Sequence, residues 1–69
     1  MIIYPVICHF EDGAYWSEFP DLPGCFSQGK TEQEIVVNSR ESMEGYLLSL
    51  LEAGEDIPKP SSIFDIKYK

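Results

Sequence analysis

The chain has little of several things that small proteins lean on. It holds two cysteines, Cys8 and Cys25, with neither the number nor the spacing of a disulfide scaffold or a zinc site. It holds one histidine, His9, and no phosphate-cradling glycine loop, HExxH or GxSxG. Its first stretch, MIIYPVICHF, has no basic leader and no small-residue cleavage site, and the apolar run is too short to span a bilayer. The expectation is a cytoplasmic protein with reduced thiols, without membrane, metal or cofactor. A disulfide between Cys8 and Cys25 is the alternative.

Positive charge is also scarce. Five basic residues face twelve acidic ones, a formal charge of −7. Between Glu11 and Asp56 there are eleven carboxylates, opposed by Lys30 and Arg40 alone. Such a field repels phosphate backbones, which disfavours direct nucleic-acid binding. It accelerates encounter with a basic protein. The same charge also serves plain solubility.

What is present reads as one globular domain over residues 1–69, with 43% hydrophobic and 13% aromatic residues. A chain this short buries only about 60% of its unfolded surface, and proteins of this size often add a partner subunit. Ile2, Tyr4, Val6, Cys8 and Phe10 alternate as in a strand from Ile2 to Phe10. Asp12-Gly13 signals a hairpin, Tyr15 to Phe19 a second strand, and Cys25 to Gln28 a short third one. The stretch FPDLPGCFSQG between them reads as a structural corner: Pro20 and Pro23 fix φ, Gly24 gives freedom, and Phe19 and Phe26 anchor either end to the core.

The period then changes. Thr31-Glu32-Gln33-Glu34 is a capping box. It opens a helix running to about Ala53, with Gly54 as its terminator. Ile35, Val36, Met43, Tyr46, Leu47, Leu50 and Leu51 form one apolar stripe, with Glu41, Glu44 and Glu52 opposite. Val37 and Leu48 break the pattern by projecting on the acidic side. Pro58 and Pro60 bar any continuation of the helix, and Ile63 to Tyr68 alternates again as a fourth strand. The fold class is α+β, in the order β-β-β-α-β, a small antiparallel-type sheet with one long helix on one face.

One helix covers one face, yet Ile3, Ile7 and Trp16 put apolar surface on the other, where an antiparallel sheet facing water should be polar. Ile3, Ile7, Trp16, Val37 and Leu48 are therefore candidates for contact with a second copy or another protein. The catalytic readings are weaker. A Cys25–His9 nucleophile pair across the sheet is conceivable, but a strand cysteine is more often a small buried hydrophobe. Divalent-metal hydrolysis needs converging carboxylates. Glu11, Asp12, Glu18 and Asp21 are available for that, but Glu11 and Asp12 fit the hairpin turn and Asp21 can turn onto local backbone.

The run Phe19-Pro20-Asp21-Leu22-Pro23-Gly24-Cys25, followed by Gly29, Thr31, the helix and the Gly54 to Pro60 exit, resembles the HicB-type antitoxin domain over nearly the whole chain. That resemblance implies a partial RNase H-like fold. It also implies an antitoxin that blocks a small basic partner, HicA, an RNase that cleaves mRNA with a catalytic histidine. Many relatives continue into a C-terminal DNA-binding domain, whereas this chain stops at DIKYK. The expected activity is non-enzymatic: occlusion of the toxin by a protein that is itself a homodimer. Glu11, Asp12, Tyr15, Trp16, Glu18 and Asp21 are the toxin-facing candidates, chosen for acidity and aromatic surface. An orphan oligomeric binding module and a divalent-metal nuclease are the alternatives.

Overall fold

The computed structural model describes residues 4–61. Three strands, β1 (Ile7–Glu11), β2 (Ala14–Glu18) and β3 (Phe26–Gly29), form an antiparallel meander in the order β1-β2-β3. One helix follows, α1 (Glu32–Glu52). The α+β order with the helix on one face thus holds across the described residues. The expected fourth strand, Ile63 to Tyr68, and Ile3 lie outside them.

Local chemistry sets each boundary. Glu11 pairs with Ala14 across a two-residue loop in which Asp12 and Gly13 both take positive φ, 51° and 78°. That geometry matches the right-handed twist of the strands. β1 begins at Ile7, not Ile2: Pro5 has no N–H to give a ladder, and the chain around it turns Tyr4 into the core instead. β2 stops before Phe19, because the Phe19 amide donates to the Cys25 carbonyl (3.3 Å) and so belongs to the corner. β3 runs from Phe26 to Gly29, one residue later than the pattern predicts.

The corner is a pair of consecutive tight turns. The Leu22 amide donates to the Phe19 carbonyl and the Cys25 amide to the Leu22 carbonyl, each at 3.0 Å. Pro20 and Pro23 take the second position of each turn, where a locked φ suits them, and Gly24 at φ 83° takes the third position of the latter. Leu22, at the joint, is fully buried. It forms the main core with Tyr4, Phe19 and Cys25, against which Met43, Tyr46, Leu47 and Ile57 pack. Phe26 does not anchor the corner. It is 59% exposed, because the extended chain after buried Cys25 turns the next side chain to the opposite face.

Thr31 caps α1, its Oγ1 accepting from the Glu34 amide at 3.1 Å. Glu34 reaches back to the Lys30 amide (3.3 Å), one residue before the position a capping box implies. At the other end, Gly54 has φ 74°, its amide donates to Leu51, and the Glu55 amide donates to Leu50. This is the Schellman arrangement that satisfies orphan carbonyls.

α1 packs on β3 and β2 and does not reach β1. That offset corrects the predicted apolar stripe: Ile35 is buried and Met43, Tyr46, Leu47 and Leu50 are half-buried, but Val36 and Leu51 are exposed. The approach to β3 is close. A Cβ on Gly29 would lie 2.9 Å from the Ile35 amide nitrogen. Asn38 Nδ2 and Ser42 Oγ donate to the Gln28 and Phe26 carbonyls at 2.8 Å, satisfying acceptors on the side of β3 away from β2. After the helix, the chain returns to the core, where the Tyr4 hydroxyl donates to the Pro58 carbonyl.

Candidate protein-binding face

The register divides the side chains between two faces. Cys8, Ser17 and Ser27 stand in one cross-strand row, and buried Ser17 meets Ser39 of α1 with the hydroxyls 2.7 Å apart. This row is the helix side. The next row, His9, Trp16 and Gln28, therefore points away from the helix. With it go Ile7, Glu18 and Phe26 in one neighbouring row and Glu11 and Ala14 in the other. None of these outward residues is a lysine or arginine.

The centre of this outer face is a connected aromatic and acidic group. The His9 and Trp16 rings stack, centroids 4.0 Å apart and planes 15° from parallel. His9 Nε2 lies 2.7 Å from Glu18 Oε2. Trp16 and Phe26 lie with centroids 6.4 Å apart at 49°, and between them opens a notch of about 290 Å³ that Ser27 and Gln28 help to line. Ile7 flanks Glu18 from β1. The rings of Trp16 and Phe26 beside a carboxylate form the kind of surface on which interface anchors sit.

The predicted toxin-facing residues separate in space. Trp16 and Glu18 stand on the outer face, with Glu11 at its turn end and Asp12 in the turn itself. Tyr15 lies on the helix side, packed against Phe10 (centroids 4.8 Å apart) with its hydroxyl 3.5 Å from Glu32 Oε1. Asp21 does not close a local turn. Its carboxylate accepts from the Ser61 amide (2.8 Å) and the Ser61 hydroxyl (2.6 Å), clamping the exit segment to the corner. The predicted oligomer contacts separate too: Ile7 and Trp16 are on the outer face, while Val37 and Leu48, 53% and 57% exposed, are on α1.

Two members of the outer group, His9 and Phe26, were not among the sequence candidates for this face. The Asp12-Gly13 turn carries the signal for His9, because a two-residue loop forces His9 opposite Trp16. For Phe26 the signal is weak, since the double turn hides which parity β3 resumes.

The catalytic alternatives lose their geometry. His9 is on the outer face, while Cys25 is buried in the core under α1, its Sγ 3.4 Å from Ser42 Oγ. Glu18 is engaged with His9 and Asp21 with Ser61, so these carboxylates do not converge with Glu11 and Asp12 at one centre. Both cysteines are free thiols, Cys8 exposed and Cys25 buried. On the helix side, the uncovered part of β1 leaves an apolar groove of about 360 Å³ between Tyr4, Val6 and Cys8 on one wall and Val36, Arg40 and Met43 on the other. Burial, then the nearby Asp21 carboxylate, push the Tyr4 phenol above its ordinary value. Among the described residues, no helix is long and apolar enough to cross a membrane.

Comparison with known proteins bears on the family and the fold. Residues 4–69 match the profile of a family described as the HicB-like antitoxin of bacterial toxin-antitoxin systems. A UPF0150 protein of Thermoplasma acidophilum is 42% identical over 57 residues, 83% of each chain. The crystal structure of the N-terminal domain of the Burkholderia pseudomallei antitoxin HicB superposes with a TM-score of 0.82 at 34% identity, covering 90% of this chain and 75% of that one. In the longer Burkholderia pseudomallei HicB structure the match covers 94% of this chain and 51% of that chain, with a TM-score of 0.84. A chain of a HicA3 and HicB3 toxin-antitoxin complex matches at 27% identity with a TM-score of 0.77.

Proposed function

The chain belongs to the HicB-like antitoxin family, and we propose that it neutralises a HicA-type mRNA-cleaving toxin by seating that toxin on its outer sheet face. Support comes from the likeness to a chain of a HicA3 and HicB3 complex. The observation that carries the reading is Phe26, a phenylalanine left 59% exposed beside Trp16 on an acidic protein. Burying such rings against a partner removes apolar area from water at about 25 cal/mol per Å², a gross gain from which the costs of association are drawn. The net charge of −7 would speed encounter with a basic toxin. The mechanism is occlusion: the antitoxin covers the toxin's RNA-binding surface and performs no chemistry of its own.

In this reading the chain works in the cytoplasm as a homodimer. The exposed Val37 and Leu48 on α1 support self-association through the helix, which leaves the outer face open for the toxin. Co-expression with the small basic reading frame beside its gene tests the proposal. Relief of growth arrest and co-purification of a complex are the expected results. Without a toxic neighbour or a complex, the orphan oligomeric module takes its place. RNA cleavage by the purified chain that requires magnesium or manganese would overturn the non-enzymatic assignment.

A further inference from the structure

We infer that the notch between Trp16 and Phe26 is a subsite for a single cationic side chain, an arginine by preference, presented by the basic protein partner. The inference rests on the antitoxin reading and narrows it to one contact. With ring centroids 6.4 Å apart, a cation seated over the gap lies within about 6 Å of both, the range in which the ring quadrupoles attract it. The rings are tilted at 49° and not stacked on each other, and the notch lies against both. A planar guanidinium can stack on one ring while its edge meets the other, which an ammonium cannot do.

Charge and register add to this. Glu18 is the cross-strand neighbour of Phe26 and sits one row from Trp16, which puts a negative charge next to the notch though not in its lining. His9 holds one of its oxygens, Oε2, at 2.7 Å, and steadies Trp16 by stacking on it. The outer face carries no lysine or arginine among the described residues, and His9, its one side chain able to carry positive charge, is held at Glu18. An anionic occupant would meet the Glu18 carboxylate as a like charge, whereas a cation adds attraction to the carboxylate that His9 holds.

Trp16 is the only tryptophan in the chain, so its emission reports on the notch directly. The intact protein is titrated with oligoarginine, and with oligocitrulline as a neutral isostere. Saturable quenching by oligoarginine alone is expected, weakened about five-fold or more in Glu18→Gln and in Phe26→Leu. Glu41→Gln, on the helix, is expected to bind as the parent does. Equal weakening in Glu41→Gln and Glu18→Gln, or equal quenching by oligocitrulline, would overturn the subsite in favour of diffuse attraction. Thermal melts check that the variants fold, and Glu18→Gln carries the test if Phe26→Leu does not. Toxin capture separates this inference from the reading beneath it. If both variants retain the toxin as the parent does, the subsite falls and the antitoxin stands. If no toxin is captured but quenching follows Glu18, the subsite stands and the antitoxin falls.

Discussion

Asp21 and Ser61 lie forty residues apart in sequence and are joined by two hydrogen bonds, from the Ser61 amide and the Ser61 hydroxyl to the two oxygens of one carboxylate. The contact closes the chain on itself: the corner that opens β3 holds the segment that leaves α1. The acidic residue of the double-turn corner thus has a structural task. Asp21→Ala is expected to cost about 1 kcal/mol, since these are charge-assisted bonds at a solvent-exposed site. Amide hydrogen exchange at Ser61 should accelerate, while exchange at Ile35 in the packed helix stays unchanged.

Ser17 and Ser39 make a buried hydroxyl pair where α1 crosses β2, 2.7 Å apart. Removing either hydroxyl leaves the other buried without a partner, which costs about 1–3 kcal/mol. Removing both leaves nothing unsatisfied. Chemical denaturation of Ser17→Ala, Ser39→Ala and the double variant should therefore show the double variant no less stable than either single one, a coupling that a double-mutant cycle reads directly.

Gly29 has no side chain because the helix leaves no room for one. Gly29→Ala would bring its methyl to 2.9 Å from the Ile35 nitrogen and 3.0 Å from the Glu34 Cβ. Backbone atoms cannot rotate away, so the start of α1 must shift, and the expected loss is about 1–3 kcal/mol. A melting curve checks it. Gly45→Ala on the same protein, where nothing lies within 4 Å, is the control, and it should stabilise the helix slightly.

Tyr4 gives the fold an alkaline limit. Its phenol is raised above 10.0 by burial and then by Asp21, and the protonated hydroxyl donates to the Pro58 carbonyl. Above pH of about 10 the unfolded chain releases this proton while the folded one keeps it, so stability falls as pH rises. Below that pH the contribution is fully present. Tyr4→Phe should be less stable than the parent at neutral pH by about 1 kcal/mol, for the lost hydrogen bond. The gap should narrow as pH passes 10.0 in a urea series.

Features governed by neighbouring residues were legible in the sequence. Asp12-Gly13 announces its hairpin, Thr31 its cap and Gly54 its terminator, because each acts within a few residues. Features governed by distant packing were not. Nothing near Val36 says that α1 sits over β2 and β3 and leaves that side chain uncovered. Nothing near Asp21 points to Ser61. Phe26 looked like a core anchor because apolar residues beside a turn usually face inward, and its true side depends on how two fused turns set the parity of β3. The candidate face was half legible for the same reason: Trp16 and Glu18 could be read from strand alternation, whereas their contacts with His9 and Phe26 depend on register across the sheet.

The most direct test of the account is the affinity of the purified chain for the HicA-type toxin proposed as its partner, measured by calorimetry with an inactivated toxin. If the outer face seats the toxin, Phe26→Arg should weaken binding about a hundred-fold or more, as loss of a central anchor does when a like charge takes its place. Val37→Arg, on the helix, should leave the affinity of each protomer unchanged. Unaltered binding in Phe26→Arg with loss in Val37→Arg would move the toxin to the helix and contradict the account.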